Sequence, residues 1–212
     1  MTPRPRCDRC LRPPVACVCG HRVPVAHRTP VLVLQHPLEA GHAKNSARLL
    51  HLSLRDSRLE TGEVFDDAAL HRWCGDGAVL LYPADAASRP MPADGRPARL
   101  VVIDATWRKS RRMLAMNPRL AALPRLSLDD PPPSRYTTRR AHRPAQRSTL
   151  EATLGALGRL DGDDPSHAAL LAAFEAMQGT WHARAAAGAA ASASAAGAAR
   201  PCNFGPASDE HG

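Results

Sequence analysis

Aromatic residues are scarce in this chain: three Trp, two Tyr and three Phe make up 4% of its 212 residues. Aliphatic side chains must therefore supply most of the core, and a 44% hydrophobic content suffices for one well-buried domain with small appendages. No apolar run approaches the roughly 18–20 residues of a membrane span, so an integral membrane protein is not expected. The start, MTPRPRCDRC, has no apolar stretch of the secretory kind, and a cytoplasmic chain is the expectation. Neither a Gly-X-Y repeat nor a sustained heptad occurs, which excludes collagen and long coiled coil. P-loop, G-x-G-x-x-G and G-x-S-x-G arrangements are missing too. Nucleotide hydrolysis, dinucleotide redox and α/β-hydrolase chemistry therefore have no support.

Lysine is nearly absent as well, with only Lys44 and Lys109 against 26 arginines. Arginine offers a planar fork for phosphate oxygens and stacks on bases. The net charge of +8 is unevenly distributed. Residues 104–150 alone hold eleven basic and three acidic side chains, an excess of +8, and the rest of the chain sums to zero. A codon bias can explain arginine in place of lysine, but it does not explain the clustering. A nucleic acid is the expected partner on charge alone.

Along the chain, VLVLQH (31–36), AVLLY (78–82) and LVVID (100–104) read as short buried strands, with RLSL (125–128) a weaker candidate. Helices are expected at 45–54, where Ala47, Leu50 and Leu54 share a face, and at 107–116, 149–160 and 166–183. Strands alternating with helices indicate an α/β domain with a largely parallel sheet flanked by helices. PPPSRYTTRRAHRPAQ (131–146), with four Pro and four Arg, is a loop. Residues 185–199 are only Ala, Gly and Ser, and 185–212 read as a flexible tail. The expected organisation is a cysteine-bearing segment over 1–28, a catalytic α/β domain over 29–184, and that tail.

Cys7, Cys10, Cys17 and Cys19 form C-x2-C-x6-C-x-C, a donor set that can close around a tetrahedral, structural Zn²⁺. A reducing cytoplasm disfavours a pair of disulfides, and the short C-x-C arm fits a zinc knuckle better than an iron–sulfur cluster. His21 is a possible substitute ligand. Cys74 and Cys202 have no such partners and receive no role.

The densest local signal is LVVIDATW. Asp104 ends an apolar strand, Thr106 can cap the following helix and Trp107 opens it. Ligands of open parallel sheets bind beyond the carboxyl ends of strands, where Asp104 is expected. On the helix, Trp107, Ser110, Met113 and Leu114 share one side, and Arg108, Lys109, Arg111 and Arg112 form a basic stripe on the other. In STLEA (148–152), Ser148 and Glu151 have the spacing of a capping box, and the helix start with Thr149 also suits an anion. His36 and Glu39 follow a strand and can line the same site.

IDATWRKSRRML, PRLAALPRLSL, Tyr136 with Arg139 and Arg140, STLEA, HPLEAGHAKNSARLL (36–50) and the cysteine pattern occur here in one order. Together, over roughly residues 7–183, they resemble the DTW-domain family of tRNA-uridine aminocarboxypropyltransferases. The chain follows the looser Asp-x-Thr-Trp form of the motif through Ala105. The resemblance implies a fold related to the SPOUT RNA-methyltransferases, with S-adenosylmethionine as co-substrate. The implied reaction moves its 3-amino-3-carboxypropyl group to N3 of a tRNA uridine. Asp104, Thr106 and Trp107 are then the catalytic candidates, and His36, Ser148, Thr149 and Glu151 the cofactor-binding ones. Arg108, Lys109, Arg111, Arg112, Arg139 and Arg140 are the RNA-binding candidates, joined by Arg143 and Arg147. Two alternatives stay open: a SPOUT-like RNA methyltransferase, and a non-catalytic zinc-containing RNA-binding module.

Overall fold

The computed structural model describes residues 5–42, 45–86, 88–91, 95–128 and 147–197. The chain divides into two compact units, Met1–Gln178 and Gly179–Gly212. Among the described residues the cysteine segment is followed by β1 (Val31–Gln35), α1 (Pro37–Ala40), α2 (Ala47–Ser53), β2 (Ser57–Thr61), α3 (Asp67–Cys74), β3 (Ala78–Leu81), β4 (Arg99–Asp104), α4 (Trp107–Met116), α5 (Pro118–Ala121), β5 (Arg125–Leu126), α6 (Thr149–Asp161) and α7 (Pro165–Gly197). The five strands form one parallel sheet in the order β2-β1-β4-β3-β5.

The central strands β1 and β4 are apolar and buried because helices cover both faces of the sheet, as parallel strands require. Leu32, Leu34, Leu80 and Val101 form one layer with Leu70 of α3, Met113 and Leu114 of α4 and Leu120 of α5. Helices α2 and α6 contact β1 and β4, respectively, and each other. Among the described residues the buried apolar set is aliphatic, with Cys10, Cys74, Met113, Met177 and a single aromatic ring, Phe174. This is the core expected from so few aromatics.

Register places the site. Gln35 is the partner of Asp104 where β1 and β4 end side by side. Because side chains alternate along a strand, Gln35 and Asp104 lie on the sheet face of Val33 and Val102, opposite the Leu34 and Val101 layer. Strands β1, β3 and β4, helices α2, α4 and α6, and the start of α7 lie within a few residues of the positions expected from sequence. Strand β2 and helices α1, α3 and α5 are not among the expected elements. Expected strand 125–128 shortens to Arg125–Leu126, and helix α7 continues through the alanine-rich stretch to Gly197, alanine being the strongest helix former.

Asp161 closes the opposite end of the fold. Its carboxylate accepts the backbone N–H groups of Arg28 (2.7 Å) and Thr29 (2.9 Å) and the Thr29 hydroxyl (2.8 Å), tying the end of α6 to the chain that leads into β1. Burial raises its pKa, but these donors bring it below the usual carboxylate value. A depressed folded pKa gives stability that is present above the unfolded value and lost as pH falls through the folded one. Asp161→Asn should therefore destabilise the protein by about 1–3 kcal/mol at neutral pH and flatten the acid limb of its stability curve. Denaturant titration at several pH values measures both. Equal stability of the two proteins at neutral pH would remove the clamp.

Candidate active site

Asp104 is only 5% exposed. Its Oδ2 accepts the Gln35 Nε2 amide (2.8 Å) and the Asn45 Nδ2 amide (2.5 Å), and its Oδ1 accepts the Thr149 hydroxyl (2.5 Å). Asn45 also receives Gln35 Nε2 (3.1 Å) and the Ala47 backbone N–H (2.9 Å) on its Oδ1. One carboxylate thus joins β1, the start of α2, β4 and the N-terminus of α6. All three donors are neutral, so among the described residues the negative charge is solvated by the protein and meets no contacting cation. Gln35 and Asn45 were not singled out in the sequence. A polar residue ending each of two adjacent apolar strands was the available signal for Gln35.

The start of α6 is a complete capping box. Ser148 Oγ accepts the Glu151 N–H (3.2 Å), and the Glu151 carboxylate accepts both the N–H and the hydroxyl of Ser148 (2.9 and 2.8 Å). Ser148 and Glu151, two cofactor candidates, are thereby committed to the helix end, and Thr149 to Asp104. Arg147 is different. It is half-buried, and its Nε and Nη2 have no hydrogen-bond partner. Burial lowers its pKa and Glu151 raises it. Nε and Nη2 form one edge of the guanidinium fork, the edge that grips a carboxylate or phosphate with two parallel bonds.

His36 is buried beside Glu63 (3.7 Å), with Nδ1 accepting the Leu38 N–H (3.1 Å). Glu39 takes Lys109 at 3.0 Å, and Glu63 takes Arg112 at 2.7 Å. Two members of the expected basic stripe are therefore paired, whereas Arg108 and Arg111 lie exposed. Ser110, Met113 and Leu114 face the core as expected. Trp107 does not follow them: it is 45% exposed and meets Tyr82 edge-on, centroids 5.5 Å apart. Tyr82 in turn bonds Ser110 (3.0 Å) and lies under Arg125. Thr106 occupies the N-cap position, but its side chain makes no capping hydrogen bond. Arg139, Arg140 and Arg143 lie outside the described residues. A cavity of about 540 Å³ opens beside β5, lined by Arg96, Arg125 and Arg159 among others, and none of the candidate site residues lines it.

The sulfurs of Cys7, Cys10, Cys17 and Cys19 all lie within 4.8 Å of one another. Cys7 to Cys19 and Cys10 to Cys17 are each 3.7 Å apart. A tetrahedral zinc with Zn–S bonds of about 2.3 Å spaces its sulfurs by about 3.8 Å, whereas a disulfide requires about 2.05 Å. Backbone N–H groups of Cys10 and Arg9 draw the Cys7 thiol down to about 6. Burial and the neighbouring sulfurs push Cys19 up to about 12. Four thiolates cannot share this volume without a cation, and the donor set fits a dication. Arg12, between Cys10 and Cys17, is buried and donates from Nη2 to the Asn45 carbonyl (2.6 Å). Burial lowers its pKa, while Cys10, Asp104 and Cys17 raise it and Arg48 opposes them.

Residues 4–182 match the DTW domain. The chain belongs to the DTW domain family. It is similar to tRNA-uridine aminocarboxypropyltransferase 2 of Mus musculus, 27% identical over 186 residues, which cover 82% of this chain and 62% of that protein. The protein of the same name from Drosophila melanogaster is 29% identical over 74% of this chain and 67% of its own length. In Arabidopsis thaliana, tRNA-uridine aminocarboxypropyltransferase A is 27% identical over 51% of this chain. This DTW chain thus spans somewhat under two thirds of the mouse relative. No solved structure matches it. Within the DTW match fall both the cysteine cluster and the Asp104 network, so the family extends across both. No helix among the described residues is long and apolar enough to cross a membrane.

Proposed function

We propose that this chain is a transferase that moves the 3-amino-3-carboxypropyl group of S-adenosylmethionine to N3 of a uridine in tRNA. The carrying observation is Asp104: a buried carboxylate at the ends of parallel strands whose hydrogen-bond donors among the described residues are all neutral, in a family whose relatives are named tRNA-uridine aminocarboxypropyltransferases. When bound, S-adenosylmethionine supplies an alkyl group activated by its sulfonium and leaves as methylthioadenosine. The unpartnered Nε and Nη2 of Arg147, at the N-terminus of α6, fit the carboxylate of that donor. His36 and Thr149 flank the same strand ends.

The chain's own groups divide the work. Asp104 accepts the N3 proton at Oδ1, which holds a single hydrogen bond, while Gln35 and Asn45 fix the carboxylate plane through Oδ2. Holding N3 in line with the leaving sulfonium supplies much of the rate. Trp107, exposed and braced by Tyr82, offers a ring for a base. The four cysteines would hold a structural Zn²⁺, whose ligation would order the N-terminal loop, apart from the displacement.

Nucleoside mass spectrometry of tRNA incubated with the protein and S-adenosylmethionine tests the reading, together with identification of the by-product. Methylthioadenosine and an aminocarboxypropyl uridine are expected. S-adenosylhomocysteine would replace this chemistry with methyl transfer, and neither product would leave an RNA-binding module.

Two further outcomes follow. Arg147→Met should raise KM for S-adenosylmethionine by about 10–100-fold, the loss of one charge-assisted bidentate pair, with RNA affinity unchanged. An RNA-affinity loss with normal KM would make Arg147 a phosphate contact. Arg108→Ala and Arg111→Ala should each lower the salt slope of RNA binding by about 1. Lys109→Ala and Arg112→Ala should not, because those cations are already paired with Glu39 and Glu63. Equal slopes for all four variants would spread the RNA contact over the whole stripe.

A further inference from the structure

Arg12 belongs to the cysteine loop, yet its side chain is turned into the domain, 7% exposed. The loop's own closure sends it there. Cys7 N–H donates to the Arg12 carbonyl and Leu11 N–H to the Cys7 carbonyl, both at 2.8 Å, and this tight turn puts Leu11 at φ 58. A left-handed backbone is unfavourable at leucine and persists where the surroundings over-determine it. Here the surroundings include the four sulfurs, with Cys7 opening the turn and Cys10 inside it, next to Leu11.

From that turn a chain of contacts runs to the site. Arg12 Nη2 donates to the Asn45 carbonyl at 2.6 Å, and Asn45 Nδ2 donates to Asp104 Oδ2 at 2.5 Å. The other side-chain atom of Asn45, Oδ1, receives Gln35 and the first N–H of α2. The peptide of residue 45 is therefore held on the far side by a charge-assisted bond from the cysteine loop. Electrostatics favour the same arrangement. Four thiolates around a dication carry a charge of −2 and Asp104 carries −1, with the buried guanidinium between them.

We infer that Arg12 is a positioning residue that couples the cysteine knuckle to Asp104. Metal on the four thiolates sets the turn, the turn places the guanidinium, and the guanidinium holds Asn45 against the carboxylate. Metal loss then leaves the sheet folded but frees residue 45, and Asp104 loses one of its two donors on Oδ2. The inference rests on the transferase reading above and on a metal at the four cysteines.

The test is a four-state cycle on the full chain: wild type and Arg12→Met, each metal-loaded and chelated. Two quantities are read, backbone hydrogen exchange at Ala47 and its neighbours, and kcat separately from KM for tRNA. Chelation of wild type should speed exchange there and lower kcat, each by about tenfold or more, the usual weight of a supporting contact around a site. KM for tRNA should stay put. Arg12→Met should do the same while still binding metal, and chelating it should add less than about twofold, because coupled perturbations do not add. Independent, multiplying effects overturn the coupling, as does wild-type exchange at Ala47 in Arg12→Met. Should Arg12→Met fail to fold, Arg12→Lys runs the same cycle with a shorter donor. Chelation is then expected to cost less than in wild type, and an undiminished cost overturns the inference. The exchange arm needs no turnover, so it decides the coupling even if the by-product assay has rejected the transferase reading.

Discussion

Asp104→Asn should leave the protein folded and lower turnover by at least about a hundredfold, the lower end of what a positioned general base contributes. The substitution is informative because the hydrogen-bond network can survive it. The asparagine carbonyl can take the place of Oδ2 and keep both amides, from Gln35 and Asn45. Its NH₂ then faces Thr149, whose hydroxyl can turn from donor to acceptor. The stability cost should stay near 1–2 kcal/mol, the difference between charge-assisted and neutral bonds. What is removed is the charge and the proton-accepting oxygen. Single-turnover rates, a thermal melt and RNA affinity separate these effects. Turnover within about threefold of wild type, on a well-folded protein, would make Asp104 a structural hub with no part in proton transfer. Asp104→Leu is the poorer experiment, since it strands three buried donors and confounds chemistry with unfolding.

The parts of this site legible in the sequence are those written in local pattern. Continuous runs such as VLVLQ and RLVVID announce buried parallel strands, and the Asp-x-Thr-Trp turn marks where one of them ends. The capping box of Ser148 and Glu151 is likewise local and occurs as its spacing predicts. Strand β2, SRLET, has a single strongly apolar residue and lies at the sheet edge, so it gives no run to detect. Helix α3 is short, and its aspartate cap and glycine stop mark it more clearly than its apolar content does.

Tertiary pairing was not legible. Nothing in the basic stripe of α4 distinguishes Lys109 and Arg112, which meet Glu39 and Glu63, from Arg108 and Arg111, which meet no acid among the described residues. Arg12 carries no signal of its own in the sequence, although it is among the most buried charges of the described residues. Its position depends on a turn closed by cysteines and on a partner 33 residues away. Arg147 looked like a phosphate contact beside three other arginines. Its half-buried position at the start of α6, with the Nε–Nη2 edge unpartnered, suits it to a single defined anion.

Cys10→Ser should cost the protein its metal and on the order of 3 kcal/mol of stability, which for a chain of this size is a fall of about 6–12 °C in Tm. Serine nearly matches cysteine in volume, so the packing around this 1%-exposed side chain is preserved and the loss reports ligation. A hydroxyl does not ionise near neutral pH and is a poor partner for Zn²⁺, leaving three sulfurs whose mutual repulsion the metal no longer offsets. The figure is well below the ~10–16 kcal/mol of an isolated zinc finger, whose whole fold depends on its ion. Here the sheet has its own aliphatic core, and the knuckle contributes Val18, Cys10 and the Arg12 anchor to its surface. Cys74→Ser is the matched control. Cys74 is equally shielded but packs among Leu70, Ala78 and Met113. Its substitution should cost about 1–3 kcal/mol for a buried hydroxyl and leave metal content unchanged. Elemental analysis should find about one zinc per chain in wild type and in Cys74→Ser, and far less in Cys10→Ser. A wild-type protein that is metal-free and melts at the same temperature with or without added zinc would reduce the four cysteines to packed thiols. The thiol of Cys19, pushed up to about 12, would then simply stay protonated.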